Sequence, residues 1–245
     1  MPTLTSIEKQ IANTQSKLAE LAAQEAKLLA LYDKEQKKAI KASNAAFNKL
    51  KAADKRVAVA KDVLAQIKLG ALVPEAGKWA ELEFNERLEV EDEDSYSSEK
   101  ERLLTSSASA QDAVVKAESC NACALGAVFV SAIRLGNKLT CGQAGLDFDG
   151  TVFDLSHIEN HLSKFFEPEQ LALMEIAFEQ GDGAFGVGDE NVDEESEDEY
   201  TDVEYDIEPD ATMKAIRFTK GINSPKKRMK KIMNNINANK GTFVP

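Results

Sequence analysis

The sequence predicts a mainly α-helical protein. It reads as a long N-terminal helical arm, a compact helical core, and an acidic disordered linker leading to a basic C-terminal helix. Three observations carry this. No Pro or Gly interrupts residues 4–67. Apolar residues recur at three- and four-residue spacing in every long segment. Charge is laid out in four blocks whose boundaries match the changes in pattern. Residues 1–69 hold 13 Lys/Arg against 7 Asp/Glu, and residues 70–188 hold 8 against 22. Residues 189–210 hold 13 acids and no base, whereas residues 211–245 hold 9 bases and no acid.

The first block opens with Thr5-Ser6-Ile7-Glu8, the pattern of a capping box. Ile7, Ile11, Leu18, Leu21, Leu28 and Tyr32 follow, spaced as the seam of a coiled coil. The same register then meets Glu35, Ala39, Ala42 and Ala46, so the seam turns small and polar. Residues 1–56 are therefore expected to form a helical arm, as one long helix or a hairpin, with residues 5–50 able to join copies of the chain.

Residues 57–188 are expected to form the core. Val57, Ala60, Val63, Leu64 and Ile67 resume an apolar stripe, and Gly70 stands where a helix would end. Ala80, Leu82 and Phe84 alternate with Trp79, Glu81 and Glu83, as in a short strand. Glu89–Asp94 reads as an acidic loop and Ser95–Ser109 as a flexible Ser-rich stretch. Cys120–Leu135 is apolar and rich in small residues, which predicts the most buried helix, approached closely by a neighbour. Leu155–Phe166, capped by Asp154 or Ser156, and a helix opening at Pro168 and running to Phe178 complete the core. Gly181–Gly188 ends it.

Residues 189–210, uniformly negative and poor in apolar side chains, predict disorder. Residues 211–245 predict a helix packed back on the core. Ser224 and Pro225 would start it, Met229, Ile232, Met233 and Ile236 would face inward, and Gly241 would close it.

A net charge of −12 disfavours non-specific binding to nucleic acid by the molecule as a whole and favours basic partners. No stretch at the start resembles a signal peptide, and the most apolar run, Ala122–Leu135, is too short for a bilayer. The expectation is a cytoplasmic protein with reduced thiols and no membrane contact.

All the Cys and His residues fall between 120 and 161: Cys120, Cys123, Cys141, His157 and His161. A C-x-x-C with two His one helical turn apart is a donor set that tetrahedral zinc accepts. The gap from Cys123 to His157 is long for a small zinc module, and buried Cys commonly packs as a small hydrophobe. The expectation is no cofactor, with zinc as the alternative. His157-Ile158-Glu159 has the H-x-E spacing of zinc deaminases, but the C-x-x-C precedes it instead of following. Asp147-Phe148-Asp149-Gly150-Thr151 resembles the nucleophile motif of haloacid-dehalogenase-like phosphohydrolases, which would make Asp147 the nucleophile and Asp149 its proton-handling partner. That chemistry needs a buried strand just upstream, and Thr140–Gly145 is a poor one. The same acids fail as a calcium loop, because Val152 and Ile158 occupy the positions that need Gly and Glu. Lys226, Lys227, Arg228, Lys230 and Lys231 crowd the last helix and could neutralise phosphates or an acidic partner.

Three stretches together resemble a group of uncharacterised proteins encoded by tailed bacteriophages and prophages. They are Val59–Ile67, Cys120–Ala127 and Ile232–Pro245. The resemblance covers roughly 57–80, 118–180 and 222–245, and leaves residues 1–56 and 189–210 outside. It implies a viral protein in the host cytoplasm but no particular activity. The leading expectation is a non-enzymatic interaction protein that binds and modulates a host or phage protein through acidic surfaces. The alternatives are a nucleic-acid-associated protein using its basic helix and arm, and a zinc-binding or phosphohydrolase enzyme.

Overall fold

A computed structural model describes residues 4–84, 107–136, 139–146, 151–179 and 207–245. The protein is mainly helical, with eight α-helices and one three-stranded sheet among the described residues. The chain divides into two compact units, Met1–Ala46 and Phe47–Pro245. The acidic loop Glu89–Asp94, most of the Ser-rich stretch, Gly181–Gly188 and the expected linker up to residue 206 lie outside the described residues.

The first unit is helical throughout its described length, as part of α1 (Leu4–Asn48). Uninterrupted helix over 45 residues corresponds to a rod about 67 Å long. The helix is already under way at Leu4, so Thr5 lies within it and not at the N-cap position expected of a capping box.

The second unit begins earlier than residue 57. Phe47 is buried, and the Asn48 amide donates to the Gly136 carbonyl at 2.9 Å. The turn at Lys49–Lys51 leads into α2 (Ala52–Leu69), which buries Val59, Ala60, Val63 and Ile67 and stops at Gly70 with φ 82°.

Strands β1 (Leu72–Pro74), β2 (Ala80–Glu83) and β3 (Ser119–Ala122) make one sheet in the order β1-β3-β2. β3 pairs parallel with β1 and antiparallel with β2, which places Leu72, Cys120 and Leu82 in one row. All three are buried, and the alternate residues Glu81, Glu83 and Asn121 face the other way. Cys120–Ala122 was expected to open a helix. It is instead the central strand, because β1 and β2 between them pair its backbone on both sides, a partnership no local pattern announces.

Ser109 caps the short α3 (Ala110–Lys116), accepting from the Asp112 amide. The buried helix is α4 (Ala124–Gly136), packed against α2, α3, the sheet and two later helices. Its glycines admit close neighbours of a different kind from the expected helix. A Cβ at Gly126 would stand 1.4 Å from the Trp79 carbonyl oxygen, and one at Gly136 would stand 2.5 Å from the Phe47 ring.

α5 (Leu155–Leu162) is capped by Asp154, whose carboxylate accepts from the Ser156 and His157 amides at 2.8 and 3.4 Å. It stops short of the expected Phe166; the chain turns at Ser163 so that Phe166 enters the core. α6 (Pro168–Glu179) is buried from Leu171 onward, except for the half-buried Ile176. The basic C-terminal region forms two helices, not one: α7 (Pro209–Thr219) on α6, then α8 (Pro225–Ala238) across α2, α6 and β1. Pro209, at the start of α7, falls inside the stretch expected to be linker. Ser224 precedes α8, but its side chain makes no capping bond. Val59–Ile67, Cys120–Ala127 and Ile232–Pro245 meet in this unit, with α2 packed on both α4 and α8.

Candidate functional site

The thiols and imidazoles are dispersed among different surroundings. Cys120 lies on the buried face of β3, where burial pushes its pKa up to about 12. Cys123 precedes α4; its thiol donates to the Trp79 carbonyl at 3.5 Å and its sulfur accepts from the Gly126 amide at 3.4 Å. Complete burial, reinforced by the Glu175 carboxylate, raises its pKa far above that of a free thiol. Cys141 is buried in the turn before the 3-10 segment Gly142–Ala144, and burial raises its pKa too. None of the three cysteines forms a disulfide. Neutral, enclosed thiols of this kind are poor nucleophiles.

His157 is exposed beside Asp154, with Nδ1 3.3 Å from the carboxylate. His161 lies edge-on to the Phe129 ring at 5.8 Å, and burial, helped by Lys164, lowers its pKa to about 4. The two imidazoles thus have separate environments although they share α5. Among the described residues no group of three or more Cys, His, Asp or Glu side chains is placed to hold a metal ion. The clustering of the five residues in sequence does not become a ligand cluster, because Cys120 and Cys123 are enclosed by the sheet and α4.

Asp147 and Asp149 lie outside the described residues. The chain leading to them, residues 139–146, contains a 3-10 turn between two isolated bridges, Thr140 to Ser109 and Leu146 to Phe153, where the phosphohydrolase motif needs a buried strand.

The five cations of α8 separate into two groups. Arg228 is buried: its guanidinium lies 5.4 Å over the Phe178 ring and donates to the Ile222 carbonyl at 3.3 Å. It is unavailable as a surface contact. Lys231 is exposed, but its ammonium donates to the Phe218 carbonyl and sits 4.4 Å over that ring. Lys226, Lys227 and Lys230 face solvent. Inward-facing positions recur every three to four residues, and Arg228 falls on that stripe beside Met229 and Ile232.

The outward face of the sheet is acidic. Lys78 pairs with Glu81 at 3.0 Å, and Asn121 donates to Glu83 at 3.3 Å. Glu81 raises the Lys78 pKa, with Glu75 and Glu83 adding to its field.

Sequence reasoning missed a buried carboxylate pair. The apolar run Leu171–Phe178 drew attention to its hydrophobic members and away from Glu175 and Glu179. Glu175 accepts from the Leu125 amide at 3.3 Å and hydrogen-bonds Cys123, while Glu179 accepts from the Gly77 amide at 3.2 Å. Burial, then the neighbouring Glu179, raises the Glu175 pKa to about 8. The legible signal is the spacing: Leu171, Glu175 and Phe178 share one helical face.

On α1 the seam leucines are open to solvent. Leu18, Leu21 and Leu28 are 61%, 60% and 67% exposed, and Leu29 and Leu31 flank them at 57% and 59%.

The chain matches no protein-family model, no curated protein and no solved structure.

Proposed function

We propose that this is a non-enzymatic interaction protein whose α1 joins copies of the chain and whose compact unit engages another macromolecule. The carrying observation is the row of exposed leucines on α1 at heptad spacing. Burying a leucine contributes about 1.5–3 kcal/mol, so leaving Leu18, Leu21 and Leu28 in water forgoes a large stabilisation. A seam repeating every 3.5 residues fits a second helix of the same repeat. α1 of another copy has that repeat. The seam's continuation through Ala39, Ala42 and Ala46 contributes little apolar area, so Leu18–Leu28 is the gripping segment.

The second part of the reading concerns the compact unit. Its acidic sheet face, Glu81 and Glu83 with Glu75 nearby, suits a basic protein partner of the host or the phage, met in the host cytoplasm. The resemblance to phage-encoded proteins and the block layout of charge support that setting.

Sedimentation equilibrium of the full chain tests the assembly. The expected mass is an integral multiple, two or more, of 26.8 kDa, falling to the single-chain value in Leu21→Lys/Leu28→Lys. A wild-type monomer at tens of micromolar would sink the proposal.

A further inference from the structure

We infer that the corner where α7 meets α8 binds the phosphate backbone of a nucleic-acid duplex without reading its sequence. This surface belongs to the compact unit and is independent of the leucine seam on α1.

The chain from residue 211 to its end carries 9 bases and no acid. The available ones stand on the exposed sides of two consecutive helices. α8 is held by its apolar side, where Met229, Ile232, Met233 and Ile236 are buried, so Lys226, Lys227 and Lys230 stand on its exposed side. Arg217 in the last turn of α7 and Lys220, which caps that helix just before the turn into α8, are exposed as well. α8 runs in the opposite sense to α2: Gly241, beyond its C-terminal end, lies on the Ala53 carbonyl, and the Arg56 side chain donates to the Gly241 carbonyl at 2.6 Å. Its N-terminal end therefore lies toward the last turn of α2, which carries exposed Lys68.

Two further cations brace this corner without joining the surface. Arg228 reaches back to the Ile222 carbonyl in the connecting turn, and Lys231 clamps the Phe218 carbonyl and ring at the end of α7. The exposed cations therefore project from packed helices and not from a floppy tail. That arrangement is unfavourable for α8 itself. Lys226 and Lys227 occupy its first turn, where the helix dipole is positive, and that turn holds no acidic residue. An anion at the surface would.

The surface discriminates between classes of anion. Phe218 lies under Lys231 and packs edge-on against Phe243 at 5.3 Å, so it offers no free platform for stacking an unpaired base. The exposed positions of α8 are Lys226, Lys227, Lys230, Lys231, Asn234 and Ala238, with no large apolar side chain to enter a membrane. Lysine ammoniums act as point charges, matched to phosphates and indifferent to base edges. A duplex offers a phosphate about every 1.7 Å of axis, dense enough for five or six cations on one corner. The acidic remainder of the molecule repels the same duplex and so orients the approach.

The test is fluorescence anisotropy with the full chain and two labelled duplexes of about 20 base pairs and unrelated sequence, titrated over about 20–200 mM KCl. Both duplexes are expected to bind alike, with log K falling against log[KCl] at a slope of about −3 to −5. Lys226→Gln/Lys227→Gln/Lys230→Gln is expected to flatten the slope by about 2–3 and weaken binding at least about 10-fold at the lowest salt. Arg217→Gln/Lys220→Gln, which leaves α8 unchanged, is expected to flatten it by about 1–2. Thermal melts accompany each variant, and the triple variant is expected to melt no lower than wild type because its helix dipole is relieved. No binding at the lowest salt, both variants binding as wild type does, preference for one sequence, or tighter binding to anionic vesicles or polyglutamate than to duplex would each overturn the inference.

Discussion

The Glu175 carboxyl carries a proton near neutral pH because α6 places it among apolar side chains with Glu179 close by. Its pKa in the fold, about 8, lies above the ordinary glutamate value of 4.5. The folded state thus binds the extra proton between those two values, and stability from this group is lost as pH rises through about 8. His161 has the opposite sign. Its pKa is depressed from 6.5 to about 4, so the unfolded chain binds the extra proton between those values and stability from this group rises with pH there. The two effects oppose each other between pH 4.5 and 6.5, which predicts a plateau, and Glu175 alone acts from 6.5 upward. Urea unfolding across pH 5–9 should show that plateau and then a decline. Glu175→Gln should abolish the decline and leave the variant more stable than wild type at pH 9 by about 1 kcal/mol or more. An unchanged alkaline limb would contradict the assignment.

Glycine at 126 has a steric reason of a harder kind. The Trp79 carbonyl occupies the place of a Cβ at 1.4 Å, and backbone cannot swing aside as a side chain can. Gly126→Ala is expected to cost about 3 kcal/mol or more in urea unfolding. At Gly136 the obstacle is the Phe47 ring, which can rotate, so the alanine variant should lose less.

At the scale of elements, the junction of α1 and α2 decides where the folded unit begins. Phe47 is 8% exposed, Asn48 bonds Gly136, and Arg56 donates to both Gly241 and the Phe165 carbonyl while lying over the Phe166 ring at 5.8 Å. A boundary at residue 57, where the apolar stripe resumes, would cut all of these away. Chains starting at residue 47 and at residue 57 therefore make a direct comparison. The first is expected to unfold cooperatively. The second should be less stable by at least about 3 kcal/mol, from the lost aromatic burial and the charge-assisted bonds of Arg56. Equal urea midpoints would place the boundary where the stripe does. α8 teaches the complementary lesson: its stripe of Met229, Ile232, Met233 and Ile236 was readable from spacing, but the same face also takes Arg228 inward, where Phe178 and the Ile222 carbonyl receive it.

At the scale of the whole molecule, most helices were legible because each carries its own evidence. Gly70 stops α2, Asp154 caps α5, Pro168 and Pro225 begin α6 and α8, and the intervening apolar residues repeat at helical spacing. Block charge was legible too, since it is a property of composition. The strand at Ser119–Ala122 was not, nor was the fate of the five Cys and His residues. Four residues have no period long enough to tell strand from helix, and the strand exists because Leu72–Pro74 and Ala80–Glu83 present their backbones to it. C-x-x-C and H-x-x-x-H announced a donor set, but whether donors converge depends on how the elements carrying them pack. The sequence by itself determined which segments coil and where charge gathers, because propensity, capping and net charge act over neighbouring residues. Only the tertiary structure decided which cations face solvent, which thiols are enclosed and which glutamate stays protonated, because burial is set by side chains far away along the chain.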